Sequence, residues 1–120
     1  MQHQNKTKEF GRTTDQRRAL FKTMLGSLIM EEKIKTTEAK AKELKTKIDK
    51  IINKAKKGRE ESKKLGVRKN LIKYIPEIAI KKISGEFLNK FEKRNSGYTR
   101  VIKLAPRKSD GARMAIIELI

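Results

Sequence analysis

Arginine and lysine carry most of the chemistry that this chain could perform. Arg17, Arg18 and Lys22 lie on polar faces of a segment whose apolar side is Phe21, Met24, Leu25 and Leu28. Lys35, Lys40 and Lys42 surround the pair Thr36-Thr37, and Arg100, Arg107, Lys108 and Arg113 follow near the end. His3, Lys6, Lys8 and Arg12 extend the same character to the beginning of the chain. A guanidinium presents a planar fork of donors that fits phosphate oxygens or a guanine edge, and an ammonium presents a compact charge. Thr36 and Thr37 add side-chain oxygens. Tyr98 adds a ring that could stack on a base, although packing into the core is the favoured reading for it. These are the candidate contacts to nucleic acid.

Catalysis finds no comparable support. His3 is the only histidine and cysteine is absent, so a histidine-based triad, a thiolate nucleophile and a two-histidine metal site are all excluded. No glycine-rich phosphate loop precedes a helix. The carboxylates fall at helix-surface spacing, as in Glu43 with Lys47 and Asp49 with Lys45. A catalytic lysine needs an apolar pocket to lower its pKa, and no segment marks one. The expectation is a non-enzyme with no cofactor, no metal and no small-molecule substrate.

Composition points the same way. With 38% charged residues, 36% hydrophobic and 5% aromatic, the chain can form only a modest core. A net charge of +18 favours association with a polyanion. No apolar run approaches the roughly 20 residues that span a bilayer. Met1 to Lys6 leads into no apolar signal core, so no membrane partner and no export are expected. The lack of cysteine suits a reducing cytoplasm. Charge on every predicted helix, instead of along one stripe, favours a protein embedded in folded RNA over a helix-in-groove DNA reader. A non-specific, nucleoid-type DNA-binding protein is the alternative.

The elements that must position these residues follow from periodicity and capping. Residues 1–12 read as a basic tail and residues 13–120 as a single α+β domain. Thr13 with Gln16 predicts a capping box at the start of the first helix, and Glu31-Glu32 predicts fraying at its end. A short strand at Lys33 to Thr37 leads into a second helix, capped by Thr37 and ended by Gly58. Its buried stripe is Ala41, Leu44, Ile48, Ile51, Ile52 and Ala55. A third helix is expected over 59–75, burying Leu65, Leu71, Ile72 and Ile75. A fourth begins at Pro76 and bends or breaks at Ser84-Gly85. Tyr98 to Leu104 alternates as a strand and Met114 to Ile120 reads as a second, joined by the basic loop 105–113. The fold expected is two-layered: helix, strand, three helices and two strands, with helices covering one face of a three-stranded sheet.

At this level of detail the chain resembles the bacterial large-subunit ribosomal protein seventeen family. The resemblance is carried by Arg12-Thr13-Thr14, by Arg17-Arg18-Ala19-Leu20-Phe21-Lys22 and by Gly26-Ser27-Leu28-Ile29. Its most specific stretch runs from Ile34-Lys35-Thr36-Thr37 to Lys40-Ala41-Lys42-Glu43-Leu44, with a second block at Gly97-Tyr98-Thr99-Arg100-Val101-Ile102-Lys103. The closing Met114-Ala115-Ile116-Ile117-Glu118-Leu119 resembles the family's last strand. Gln2 departs from the arginine that usually precedes the histidine, and Ile72 to Asn95 agrees only in pattern. The resemblance implies a cytoplasmic, structural component of the large ribosomal subunit. It would bind the large-subunit ribosomal RNA near the outer end of the polypeptide exit tunnel, with ribosomal protein thirty-two as a neighbour.

Overall fold

A computed structural model describes residues 13–120. The elements are α1 (Thr14–Glu31), β1 (Lys33–Thr37), α2 (Glu38–Lys57), α3 (Lys64–Leu71) and α4 (Glu77–Ile83), then a 3-10 helix (Glu86–Phe91), β2 (Thr99–Lys103) and β3 (Met114–Leu119). The order and the α+β class agree with the sequence reading.

Local chemistry starts the first two helices as expected. The Thr13 hydroxyl accepts from the Gln16 N–H at 3.4 Å, and Gln16 Oε1 accepts from the Thr13 N–H at 3.2 Å. At α2 the Thr37 hydroxyl accepts from the Lys40 N–H at 3.4 Å, and the buried stripe is the predicted six residues. Both caps satisfy N–H groups that a helix cannot pair internally.

The end of α1 differs from the expected fraying. Glu32 closes the helix in the left-handed region at φ 64, and its N–H donates to the Leu28 carbonyl. Its carboxylate would oppose the helix dipole if left alone. Instead it takes a hydrogen bond and ion pair from Lys90 and a second from Lys82 at 3.5 Å. The Lys90 hydrogen bond, opposed by some desolvation, holds the Glu32 carboxyl below its ordinary pKa. Two cations from later elements thus fasten the segment predicted to fray.

The third helix also departs from prediction. It covers only Lys64–Leu71, and Leu65 is 65% exposed with Ile72 exposed as well. Leu71 and Ile75 are buried as expected, with Val67 packed against the core. The Val67 and Leu71 pair, one helical turn apart, selects the inward face, so Leu65 and Ile72 at i and i+7 fall outside. Beyond Leu71 the chain turns, with the Tyr74 N–H on the Leu71 carbonyl at 2.9 Å. The residue before Pro76 disfavours helical backbone, which limits α3 at this end. The predicted break at Ser84-Gly85 is present, between α4 and the 3-10 helix.

The sheet has the order β1-β3-β2, antiparallel throughout. The row Ile34, Ile117 and Val101 faces the helices, and the row Lys35, Ile116 and Ile102 faces away. Helices α1 and α2 pack on the inner face, above a core that includes Leu28, Ile29, Leu44, Ile48 and Ile52. Asp49 does not serve as the expected partner of Lys45. Its carboxylate accepts from the N–H groups of Gly97 and Tyr98, both at 3.3 Å, and so fixes the chain as it enters β2.

Gly26 sets the approach of α1 to the start of α4. A Cβ at this position would lie 2.7 Å from both Cδ and Cγ of Pro76. Alanine at position 26 is expected to destabilise by about 1–3 kcal/mol, the usual range for overpacking, even though alanine is the better helix former. Denaturant titration of Gly26→Ala checks this. A gain in stability would show that the two helices separate freely.

Candidate nucleic-acid interface

Helix α1 contributes Arg17, Arg18 and Lys22 to the wall of a groove, and α2 forms the other wall. Three α2 lysines at i, i+3 and i+7, Lys47, Lys50 and Lys54, lie along that second wall. The turn between α3 and α4 adds Lys73 and Tyr74 to the lining. Phe21, Leu25 and Ile51 supply the apolar lining. The space is about 730 Å³, lined by seven cationic side chains and one carboxylate, Glu43. Glu43 is paired with Lys47 at 3.9 Å, and Lys47 Nζ also stands 5.2 Å from the centre of the Phe21 ring. Arg17 donates to the Thr14 hydroxyl at 3.3 Å. The groove is therefore a concave, strongly positive surface with an apolar floor, suited to a polyanion.

The remaining candidates fall elsewhere. Lys35 and Arg100 are exposed on the open face of the sheet. Arg100 meets Glu118, its cross-strand partner, with Nη2 to Oε1 at 2.7 Å. Around the start of α2, the Glu38 carboxylate receives Lys42 at 3.1 Å and Lys103 at 3.6 Å. Lys42, more than Lys103, holds that carboxyl below its ordinary pKa. Lys40 is half-buried beside them. The loop bearing Arg107, Lys108 and Arg113 joins this region, because the Arg113 carbonyl accepts from the Glu38 N–H at 2.9 Å. His3, Lys6, Lys8 and Arg12 lie outside the described residues.

Three candidates serve the fold, as the sequence favours for Tyr98 in the core and Thr37 in the cap. Tyr98 is 0% exposed, so the base-stacking alternative is excluded in this fold. Its ring meets Phe91 edge-on, with centroids 5.4 Å apart. Its hydroxyl lies 2.5 Å from Asn53 Oδ1 and accepts from Lys56 Nζ at 2.8 Å. The hydroxyl of Thr37 is engaged in the cap of α2. Thr36 shares the inward side of β1 with Ile34, opposite Ala115, and is only part-exposed.

Sequence reading passed over Lys47, Lys50, Lys54, Lys73 and Tyr74. The α2 lysines were visible at helical spacing, but nothing local showed that this face adjoins α1. Lys73 and Tyr74 depend on a turn that periodicity had assigned to a helix.

The basic loop carries one titration that can be followed directly. Arg107 Nε and Nη2 grip Asp110 at 3.0 and 2.7 Å, and the Ala112 N–H adds a third hydrogen bond at 3.1 Å. The Arg107 hydrogen bonds, then that of Ala112, lower the Asp110 pKa from 3.8 to about 2. Because the folded value is the lower one, the contribution of the pair is complete above pH about 4 and fades as pH falls through about 2. Carboxyl NMR should place the Asp110 midpoint near 2, and Arg107→Ala should return it toward 3.8. An unchanged midpoint would mean that the grip does not persist in solution.

Among the described residues no group of histidine, cysteine, aspartate and glutamate could hold a metal ion, and no helix is long and apolar enough to cross a membrane. Comparison with known proteins gives a consistent family. A family model described as Ribosomal protein L17 matches residues 20–120. The chain is 38% identical over 124 aligned positions to the Large ribosomal subunit protein bL17 of Staphylococcus epidermidis, covering 94% of this chain and 98% of that protein. The similarly named proteins of Staphylococcus haemolyticus and Staphylococcus aureus are also 38% identical, over 94% of this chain and 97% and 98% of theirs.

Proposed function

Since the chain belongs to the ribosomal protein L17 family, and is thereby a structural constituent of the large ribosomal subunit and not an enzyme, we propose that it stabilises the local fold of large-subunit ribosomal RNA through its groove between α1 and α2. The observation that carries this reading is the seven-to-one excess of cationic over anionic side chains around that groove. Ribosomal RNA brings several backbone segments together, and a cradle of this kind lowers the repulsion between them. Arg17, Arg18 and Lys22 would meet phosphate from α1. Lys40, Lys42, Arg107, Lys108 and Arg113 would meet a second segment at the start of α2, and Lys35 and Arg100 a third beyond the sheet. Residues 1–12, with His3, Lys6, Lys8 and Arg12, would extend the contact as a basic arm beside the domain formed by residues 13–120.

Membership of the family supports a reading of site and neighbours. The protein works in the cytoplasm, in the ribosome, with ribosomal RNA and ribosomal proteins as its partners. Within that setting the proposed location is near the outer end of the polypeptide exit tunnel, and the proposed protein neighbour is ribosomal protein thirty-two. Cosedimentation tests the reading. The full chain should stay with large subunits through a moderate-salt wash, whereas release followed by copurification with nucleoid DNA would overturn it in favour of the DNA-binding alternative.

A further inference from the structure

Phe21, Phe87, Phe91 and Tyr98 are buried, and Tyr74 is the one aromatic residue among those described that stays exposed, at 45%. Mobility does not explain this exposure. The Tyr74 N–H is bonded to the Leu71 carbonyl, the Ile75 N–H shares that acceptor at 3.0 Å, and both Leu71 and Ile75 are buried. The turn between α3 and α4 therefore pins the backbone of Tyr74 while leaving its ring outside the core. Lys54 Nζ stands 4.5 Å from the ring centre and donates to Asn70 Oδ1 at 3.0 Å, so the ammonium is tethered over the ring. The ring forms part of the groove wall beside Lys73, with Lys50 on the facing helix.

A phosphate chain needs the cations of such a groove but has no use for an aromatic ring. Leu65, Ile72 and Ile78 are also exposed on α3, the following turn and α4, but none of them lines the groove. A flat π surface among cations is the combination that binds unpaired nucleotides, where the base stacks and its flanking phosphates are neutralised. A duplex cannot use it, because its base faces are covered by neighbouring pairs. We propose that Tyr74 is a stacking platform for one unpaired RNA base, with the flanking phosphates held by Lys50, Lys54 and Lys73. This rests on the RNA-binding reading above and specifies the element of RNA that the groove takes: a bulge or loop nucleotide.

The test uses the full chain with two probes of similar charge, an oligoadenylate RNA strand and a blunt RNA duplex. Tyr74→Ala should weaken oligoadenylate binding about tenfold, within the range for loss of one stacked base, and leave duplex binding unchanged. Tyr74→Phe keeps the π face and should retain affinity. Intrinsic fluorescence gives a second reading, because the chain has two tyrosines, no tryptophan, and Tyr98 buried. Oligoadenylate should quench the emission of the unaltered protein, and Tyr74→Phe should abolish that quench. Equal losses on both probes, no loss on either, or a quench that survives Tyr74→Phe would overturn the stacking proposal while leaving RNA binding intact. If the unaltered protein binds neither probe, the RNA reading itself falls, and the platform with it.

Discussion

Tyr98→Ala is expected to cost about 3–5 kcal/mol of folding stability, in line with truncation of large aromatic residues in protein cores. For a domain of this size that lowers the melting temperature on the order of 15 °C. Removing the ring opens a cavity against Phe91 and leaves Asn53 without the hydroxyl beside it, while Lys56 Nζ loses one acceptor. The Arg94 carbonyl loses a neighbour as well, since it lies 2.9 Å from the same hydroxyl. Tyr98 thus ties α2 to the approach of β2, together with the Asp49 carboxylate that holds its backbone N–H. Tyr98→Phe keeps the ring and should lose about 1 kcal/mol, the scale of a part-buried hydrogen bond. Its RNA affinity should not change, because the ring is inaccessible. Thermal unfolding followed by circular dichroism checks the first pair of values. A loss below about 1 kcal/mol for Tyr98→Ala would show that the site collapses around the missing ring.

The largest effect on binding is expected from reversing three groove charges together, Arg18→Glu, Lys50→Glu and Lys73→Glu. All three side chains are exposed, line the groove, and take part in no ion pair among the described residues. The fold should therefore tolerate their replacement, with the circular dichroism spectrum retained. Each phosphate contact contributes about 0.7–0.9 to the log–log salt slope, so loss of three should flatten it by about 2–3. On that relation each unit of slope is worth a factor of about ten at tenth-molar salt, and RNA affinity should fall by roughly two orders of magnitude or more. Filter binding across a salt series measures both quantities. Three exposed charges that do not line the groove, such as Lys45, Lys81 and Lys93, reversed together provide the comparison. An equal loss from that set would mean that overall charge, and not the groove, governs binding.

These residues also show which parts of the molecule were readable before folding. Thr13, Gln16 and Thr37 act within three residues of themselves, so their caps were legible from spacing alone. The buried stripe of α2 was legible because an amphipathic helix writes its inner face into the sequence with a regular period. The short α3 was not, since its turn and Pro76 interrupt the period and leave Leu65 and Ile72 outside. Arg17, Arg18 and Lys22 were visible as basic positions on α1. That they face Lys47, Lys50 and Lys54 was not visible, because no local signal couples one helix face to another.

Sequence alone therefore determined the order and class of the elements, the capped starts of α1 and α2, the strongly positive charge and, through its motifs, the family. These depend on periodicity, short-range hydrogen bonding and net charge, which survive in the linear chain. Tertiary structure decided the rest. It brought Lys82 and Lys90 to Glu32 across 50 and 58 residues, and turned an expected frayed end into a fixed one. It placed Tyr98 inside and Tyr74 outside, although both are tyrosines set among basic residues. The reason is that exposure and charge pairing depend on which surfaces meet when the core closes, a relation between distant segments that no local window contains.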